Sequence, residues 1–352
     1  MSPKIPVAVL GATGSVGQRF VQLLDQHPWF EVVALTGSER SAGQPYGEAC
    51  HWVLPEPLPG WARDIKVQHS EPEKLGARLA FSALPSTKAR HIEPRFAQAG
   101  VVVCSNASAF RQDVDVPLLL PEVNPDHAQL VYTQRQQRGW SGAIVTNPNC
   151  TSTGITIAFK ALDDAFGLQR AVVVSLQAIS GAGYPGVAAL DIIDNVIPNI
   201  PGEEEKVEWE PRKMLGQWVD GQVRLAPVQI SAHTNRVAVS DGHIVCASVE
   251  FNQAVEPQQA ARVLGSYYGP EISRDLPSAP QPVISVTELP DRPQPRLDRG
   301  TGQGMTTIIG RLRPDPLFHL KFVVLSHNTV RGAAGGSLFN AELLVKMGIL
   351  EK

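Results

Sequence analysis

The sequence predicts an α/β fold in two parts, a doubly wound parallel sheet followed by an α+β region built on a mixed sheet. Three observations predict it. Short apolar runs alternate with helical spacing as far as Asn147, the pattern of strands buried on both faces. A glycine-rich turn joins the first run to the first helical stretch. Beyond Cys150 the strands continue with long irregular connections and fewer helices between them, which suits a mixed or antiparallel sheet.

The elements follow in order. Ile5 to Leu10 is a continuous apolar run and reads as a buried strand. Gly11-Ala12-Thr13-Gly14-Ser15-Val16-Gly17 is the turn, and Val16, Phe20, Leu23 and Leu24 give the helix after it. Glu31 to Thr36, Leu79 to Ala83, Val101 to Cys104 and Ile144 to Asn147 are the next strands, with Pro85 to Gln98 as a helix. Thr151 to Phe166 is a long helix. Ala171 to Ala178, Val237 to Val239, His243 to Phe251 and Phe322 to Ser326 read as strands, with Pro277 to Arg299 as an exposed excursion. Gly332 to Met347 begins small-residue-rich and becomes amphipathic, which predicts a terminal helix.

The chain has 352 residues, comfortable for two domains, which we place at 1–148 (completed by 328–352) and 149–327. A net charge of −3 gives no electrostatic footprint for nucleic acid. No apolar stretch approaches a membrane span, and the N-terminus runs into a strand without a secretory signal. Cys50, Cys104, Cys150 and Cys246 lack metal-ligand spacing and do not form a disulfide framework, so no metal and a reduced, cytoplasmic setting are expected.

The glycine turn reads Gly-x-x-Gly-x-x-Gly. Its glycines allow a tight turn and bring N–H groups onto a pyrophosphate at a helix N-terminus, so a Rossmann-type dinucleotide site is expected. The tip of the second strand separates the cofactors. Ser38, Arg40 and Ser41 suit the 2′-phosphate of NADP, whereas an inward Glu39 would repel it and permit NAD. NADP is the expectation. The plain alternative for Arg40 is a solvated loop charge.

Asn147-Pro148-Asn149-Cys150-Thr151 puts one cysteine at a strand-to-helix junction. The helix dipole and free N–H groups there are expected to lower its pKa and, with Asn149, to hold an oxyanion. Cys104 and Cys246 sit inside apolar runs and read as small buried hydrophobes. Downstream, Asp241-Gly242 predicts a two-residue hairpin. That turn would set Ser240 opposite His243 and put Arg236 on the same face, so His243 is the expected acid/base and Arg236 a carboxylate clamp. His233 and His327 are the rival histidines.

At these residues the chain resembles the aspartate-β-semialdehyde dehydrogenases of archaea and fungi. The resemblance runs essentially the whole length. It takes in Gly11 to Gly17, Ser38 to Gly43, Ser105 to Arg111, Asn147 to Thr151, Gln177 to Gly183, Gly202 to Lys206, Arg236 to His243 and Asn328 to Gly335. It implies a dinucleotide domain completed by the C-terminal helix, and a middle domain that carries catalysis and a homodimer or homotetramer interface. It implies NADPH-dependent reduction of aspartyl phosphate to aspartate semialdehyde through a thioester on Cys150, within aspartate-family amino-acid biosynthesis. Gln177 would position the intermediate. Arg236 would bind the α-carboxylate, Arg111 with Asn106 or Lys206 the phosphate, and one of the glutamates at 203 to 205, with Glu203 the expectation, the ammonium. Cofactor contacts would come from Gly11, Thr13, Gly14, Ser15, Val16, Ser38, Arg40, Ser41, Ser82, Ser180, Gly181 and Asn328. The bland alternatives are a solvated charge cluster for Glu203 to Lys206 and a salt bridge for Arg111. Malonyl-CoA reductase and N-acetyl-glutamyl-phosphate reductase share the motifs and are the enzymatic alternatives. A non-catalytic dinucleotide-binding relative would be expected to lack Cys150 or His243.

Overall fold

The structure, a computed structural model, describes residues 3–351. Five strands form the first sheet: β1 (Ile5–Leu10), β2 (Phe30–Leu35), β3 (Leu79–Ser82), β4 (Val102–Ser105) and β5 (Ala143–Thr146). All pair in parallel, in the order β2-β1-β3-β4-β5. Helices α1 (Ser15–Leu23), α2 (Ser86–Gln98) and α3 (Leu130–Arg138) interleave with them. Every residue of β3, β4 and β5 is buried, which is why these strands read as unbroken apolar runs. The chain leaves β1 and β3 in opposite directions across the sheet. Their C-terminal ends therefore bound the crevice where such sheets bind ligands.

The second sheet contains β6 (Leu168–Gln177), β7 (Gln229–Arg236), β8 (His243–Phe251), β9 (Ile284–Thr287), β10 (Thr307–Pro314) and β11 (Leu320–Ser326). Its order is β9-β10-β11-β8-β6-β7. The pairs β6–β7 and β9–β10 are parallel and the others antiparallel, so the sheet is mixed as expected. Helices α4 (Cys150–Phe166), α5 (Glu203–Met214) and α6 (Pro257–Gly265) pack on one face. Phe159, Leu162, Val173, Val249 and Phe322 are the centre of that core. On the other face Val172, Val174, Leu176 and Val323 are only half-buried. Cys246 lies on that face and is exposed, not buried as its apolar neighbours suggested, because alternate residues of β8 point outward.

Two further expectations change. The segment 237–242 is neither a strand nor a hairpin turn. β7 and β8 do not pair with each other, because β6 lies between them, and the chain crosses over the end of β6. Pro277 to Arg299 is not wholly an excursion, since β9 within it adds to the sheet edge.

The chain ends in a one-turn π-helical segment, Val330–Ala334, and α7 (Gly335–Lys346). Leu338, Phe339 and Leu343 join the first sheet's core with Val7, Phe81 and Val145. This helix is buried nearly all round, not amphipathic, because it sits between that sheet and the segment 271–278, where Ser278 bonds Glu342. Among the described residues no helix is long and apolar enough to cross a membrane.

Candidate active site

A cavity of about 630 Å³ runs between the two sheets, from the glycine turn to the N-terminus of α4. Gly14, Ser15 and Val16 line one end, with Ala83 to Ser86 beside them. Gly11 adopts φ +75° and a Cβ there would lie 3.0 Å from the Ala83 carbonyl oxygen, so glycine is required at the turn. Gly14 caps α1 without a side-chain hydrogen bond, which leaves the helix's first N–H groups for a ligand. The turn carrying Ser38, Arg40 and Ser41 closes on itself and lies outside the cavity lining, with Ser41 Oγ donating to the Ser38 carbonyl at 2.9 Å. Ser82 is not a cavity residue either. It ends β3 fully buried, and the chain after it supplies the lining.

Cys150 begins α4. Asn149 caps the helix, its Oδ1 accepting from the N–H groups of Thr151 at 2.9 Å and Ser152 at 3.1 Å. Those two donors are therefore not free for an oxyanion, as the sequence had suggested. The Cys150 N–H has no protein acceptor among the described residues.

His243 Nε2 lies 3.2 Å from Cys150 Sγ. Its Nδ1 accepts from the Ala178 N–H at 3.0 Å, so the neutral ring carries its proton on Nε2, facing sulfur. Burial pushes this imidazole down to about 3, helped by Arg236 and His327. Burial pushes the Cys150 thiol up to about 12, with Glu203 adding to it and Arg111, Arg236 and the Thr151 N–H opposing. The expected fall in the thiol pKa is thus absent. Desolvation and a nearby carboxylate outweigh the helix terminus. Of the rival histidines, His233 is exposed on β7. His327 is buried and held near pKa 4, chiefly by desolvation.

The end of β6 organises the rest. Gln177 pairs with Arg236 across β6–β7, and Leu176 pairs with Ile244 across β6–β8. The C-terminus of β7 and the start of β8 thus meet at one strand end. Arg236 donates to the Ala178 carbonyl at 2.8 Å. A Cβ on Gly181 would fall 2.7 Å from Arg236 Nη1 and 3.2 Å from His243 Nε2, so the bare glycine lets both side chains in. Gln177 donates towards Glu203 Oε1 at 3.4 Å and Ser175 Oγ at 3.2 Å. Asn328 accepts from the Gly242 N–H and donates to Ser180 Oγ, both at 2.8 Å.

Helix α5 supplies the charges. Glu203 is buried in the cavity wall, bonded to Asn149 Nδ2 and, at 3.1 Å, to Lys206 Nζ. Glu204 turns away to the Thr234 N–H, and Glu205 is exposed. Of the three glutamates only Glu203 faces the site. Arg111 pairs with Glu210 at 2.8 Å and donates to the Asn106 carbonyl at 2.8 Å. Sequence reading missed Glu210, although it lies seven residues after Glu203 on the same helix face. It also missed Gly332, where a Cβ would fall 2.7 Å from Cys150 Cβ.

The site brings together a cysteine thiol, an imidazole in contact with it and four charged side chains, Arg111, Glu203, Lys206 and Arg236. A nucleotide-binding crevice opens onto the same space. Comparisons with known proteins agree. A family model described as semialdehyde dehydrogenase, NAD binding domain, matches residues 6–131. One described as semialdehyde dehydrogenase, dimerisation domain, matches residues 159–331. Aspartate-semialdehyde dehydrogenase of Archaeoglobus fulgidus is 51% identical over 98% of this chain and 99% of its own. That of Schizosaccharomyces pombe is 45% identical over 98% and 99%. The crystal structure of aspartate semialdehyde dehydrogenase with NADP from Candida albicans superposes with a TM-score of 0.91 at 41% identity, covering 99% of this chain and 100% of that one. Sheet order, cysteine–histidine contact and full-length similarity converge on one conclusion: the chain belongs to the aspartate-semialdehyde dehydrogenase family.

Proposed function

We propose that the chain carries out NADPH-dependent reductive dephosphorylation of L-aspartyl 4-phosphate to L-aspartate 4-semialdehyde. The observation that carries this is the 3.2 Å contact of Cys150 Sγ with His243 inside a cavity walled by Arg236, Glu203, Lys206 and Arg111. The substrate has a carboxylate, an ammonium and a phosphate. Arg236 complements the first, Glu203 the second, and Arg111 with Lys206 and Asn106 the third. An acetyl-blocked amine carries no positive charge for Glu203 to complement, which disfavours the N-acetylated alternative.

The cofactor fits on this chain's own features. The uncapped N-terminus of α1 suits the pyrophosphate, and Ser180, Gly181 and Asn328 border the reacting end. Thr13 and Gly11 shape the turn. Ser38, Arg40 and Ser41 would hold the 2′-phosphate outside the main cavity, with NAD as the weaker ligand. When bound, the reduced nicotinamide supplies a hydride to the acyl carbon.

The protein does the rest. Cys150 sulfur attacks the γ-carbonyl and the C–O bond to phosphate breaks, so the thiol proton is carried off on the phosphate. The oxyanion meets the Cys150 N–H and the Nε2–H of His243. Taking up the thiol proton at Nε2 requires His243 to give up its Ala178 contact. The resting tautomer suits the later steps, where Nε2–H hydrogen-bonds the adduct oxygen and then the departing thiolate, which takes its proton from solvent as the aldehyde leaves. Gln177 fixes the acyl group beside Glu203.

In this reading residues 1–148 with 328–352 hold the nucleotide, and 149–327 carry catalysis and dimerisation. A second copy would cover the open face of the second sheet. A reducing, cytoplasmic setting suits the free thiol.

The test is the reverse reaction. Purified protein with aspartate semialdehyde, phosphate and NADP⁺ should reduce the cofactor only when phosphate is present. No signal, together with NADPH oxidation by malonyl-CoA, would keep the fold and cysteine chemistry and replace the substrate.

A further inference from the structure

The charged stripe of α5 extends beyond the cavity. Glu203, Lys206, Glu210 and Lys213 fall at spacings that place all four on one helix face. Glu203 and Lys206 reach the cavity. Lys213 is buried and its Nζ donates to the carbonyls of Arg111 at 2.8 Å, Asp113 at 2.9 Å and Val116 at 2.9 Å. Glu210 lies between, with its side chain 2% exposed.

Both Glu210 oxygens are committed, and to different partners. Oε1 accepts from Arg111 Nη1 at 2.8 Å. Oε2 accepts at 2.6 Å from the N–H of Asn149, the residue directly ahead of Cys150. Arg111 is thereby held at Nη1 by Glu210 and at Nη2 by the Asn106 carbonyl, while its buried Nε has no protein partner. Its backbone is pinned by Lys213. The guanidinium is fixed in place without using all of its donors.

We propose that Glu210 is a positioning residue that ties the anion-binding Arg111 to the nucleophile's helix cap, so that phosphate and Cys150 sulfur keep one relative geometry. The inference rests on the function proposed above and assigns a part to a side chain that touches neither substrate nor cofactor. A buried ion pair with a merely structural role would need only one of these contacts. Here one carboxylate receives a donor from each of the two parts that must meet at the acyl phosphate.

The chemistry of glutamine gives a clean test. Its side-chain amide has the shape of the carboxylate but one acceptor only, and both partners are donors. Glu210→Gln must therefore lose one contact. We expect the KM for phosphate in the reverse assay to rise about tenfold, as for a lost charge-assisted hydrogen bond. kcat should fall, and the KM for NADP⁺ should stay unchanged. Arg111→Ala and the double variant Arg111→Ala/Glu210→Gln should have the same phosphate KM, because Glu210 acts on phosphate through Arg111. If Glu210→Gln does not fold, Glu210→Asp, too short to reach both donors, is read in the same way. A phosphate KM within twofold of wild type, or additive losses in the double variant, overturns this inference alone. A wild-type enzyme without phosphate dependence overturns the proposed function, and this inference with it.

Discussion

At the scale of single residues, the Cys150–His243 pair decides how the site behaves. A helix N-terminus offers a thiolate roughly 0.3–1 kcal/mol at an exposed site. Burial can shift a pKa by several units, at about 1.4 kcal/mol each, and desolvation is the largest influence on the half-buried Cys150, so burial wins. The thiol is pushed up to about 12 and the imidazole down to about 3, and Nδ1 already accepts from the Ala178 N–H, which points to a neutral resting pair at pH 7 and not to a thiolate–imidazolium pair. The sign of the pH dependence follows. A raised thiol pKa makes thiolate scarce, and each unit of rising pH multiplies it tenfold until that pKa is reached. Alkylation of Cys150 by iodoacetamide, followed by peptide mass spectrometry to separate it from exposed Cys246, should accelerate about tenfold per pH unit from pH 7 to 10. A rate already on a plateau at pH 7 would mean an ion pair and would refute the neutral resting state. Cys150, His243 and Arg236 were legible in the sequence because cysteine beside Asn and Thr, or histidine near arginine, is uncommon in a core. Glu210 was not, because a carboxylate within Glu203 to Met214 looks like any solvated helix charge until the fold buries it.

At the scale of elements, the first sheet was readable because each of its strands is a separate apolar run and each helix is local. The second sheet was readable as a mixed sheet, with strands at 171–178, 243–251 and 322–326, but its order was not, because its pairings join distant segments. Asp241-Gly242 is a genuine local turn signal, yet β6 inserts between β7 and β8, and no local pattern announces a strand from some sixty residues upstream. Arg236 and His243 still meet, but at the end of β6 and not across a hairpin. The terminal segment misled in the opposite way. Its apolar residues suggested one buried stripe, whereas its small residues allow burial on every side. That close approach is testable at Gly332. A Cβ there would lie 2.9 Å from Cys150 Cα and 3.2 Å from its carbonyl oxygen, both backbone atoms that cannot rotate away. Gly332→Ala should move Val330–Ala334 off α4, costing about 1–3 kcal/mol in urea unfolding. kcat should fall more than the KM for NADP⁺ rises, since the clash is at the nucleophile. Wild-type stability with wild-type kcat would show that the contact has slack.

At the scale of the whole molecule, the second sheet is covered by helices on one face only. Val172, Val174 and Leu176 alternate outward along β6, and Val323 extends the strip onto β11 across β8. Beside the edge strand β7, Leu190 is 92% exposed and Ile193 64%, on a segment whose Ile197 bridges to Arg236. Scattered exposed apolar residues are ordinary, but a contiguous strip on an open sheet face is what an interface needs. A two-fold axis would lay this face on its own copy, so that each residue of the strip is used twice. A stable contact of this kind buries on the order of 1,600 Å², which a sheet face of this breadth can supply. Val174 is the residue to change, because it sits mid-strand and has no role at the cavity. Val174→Lys would bring two ammonium groups into the centre of the contact, while Glu250, the acid of β8 on this face, is already paired with Arg170. Light scattering should give wild type twice the chain mass of 38.0 kDa and Val174→Lys a single chain mass. A wild-type monomer would refute the interface outright. A Val174→Lys dimer would move it to another face, with the segment 189–196 the next to probe.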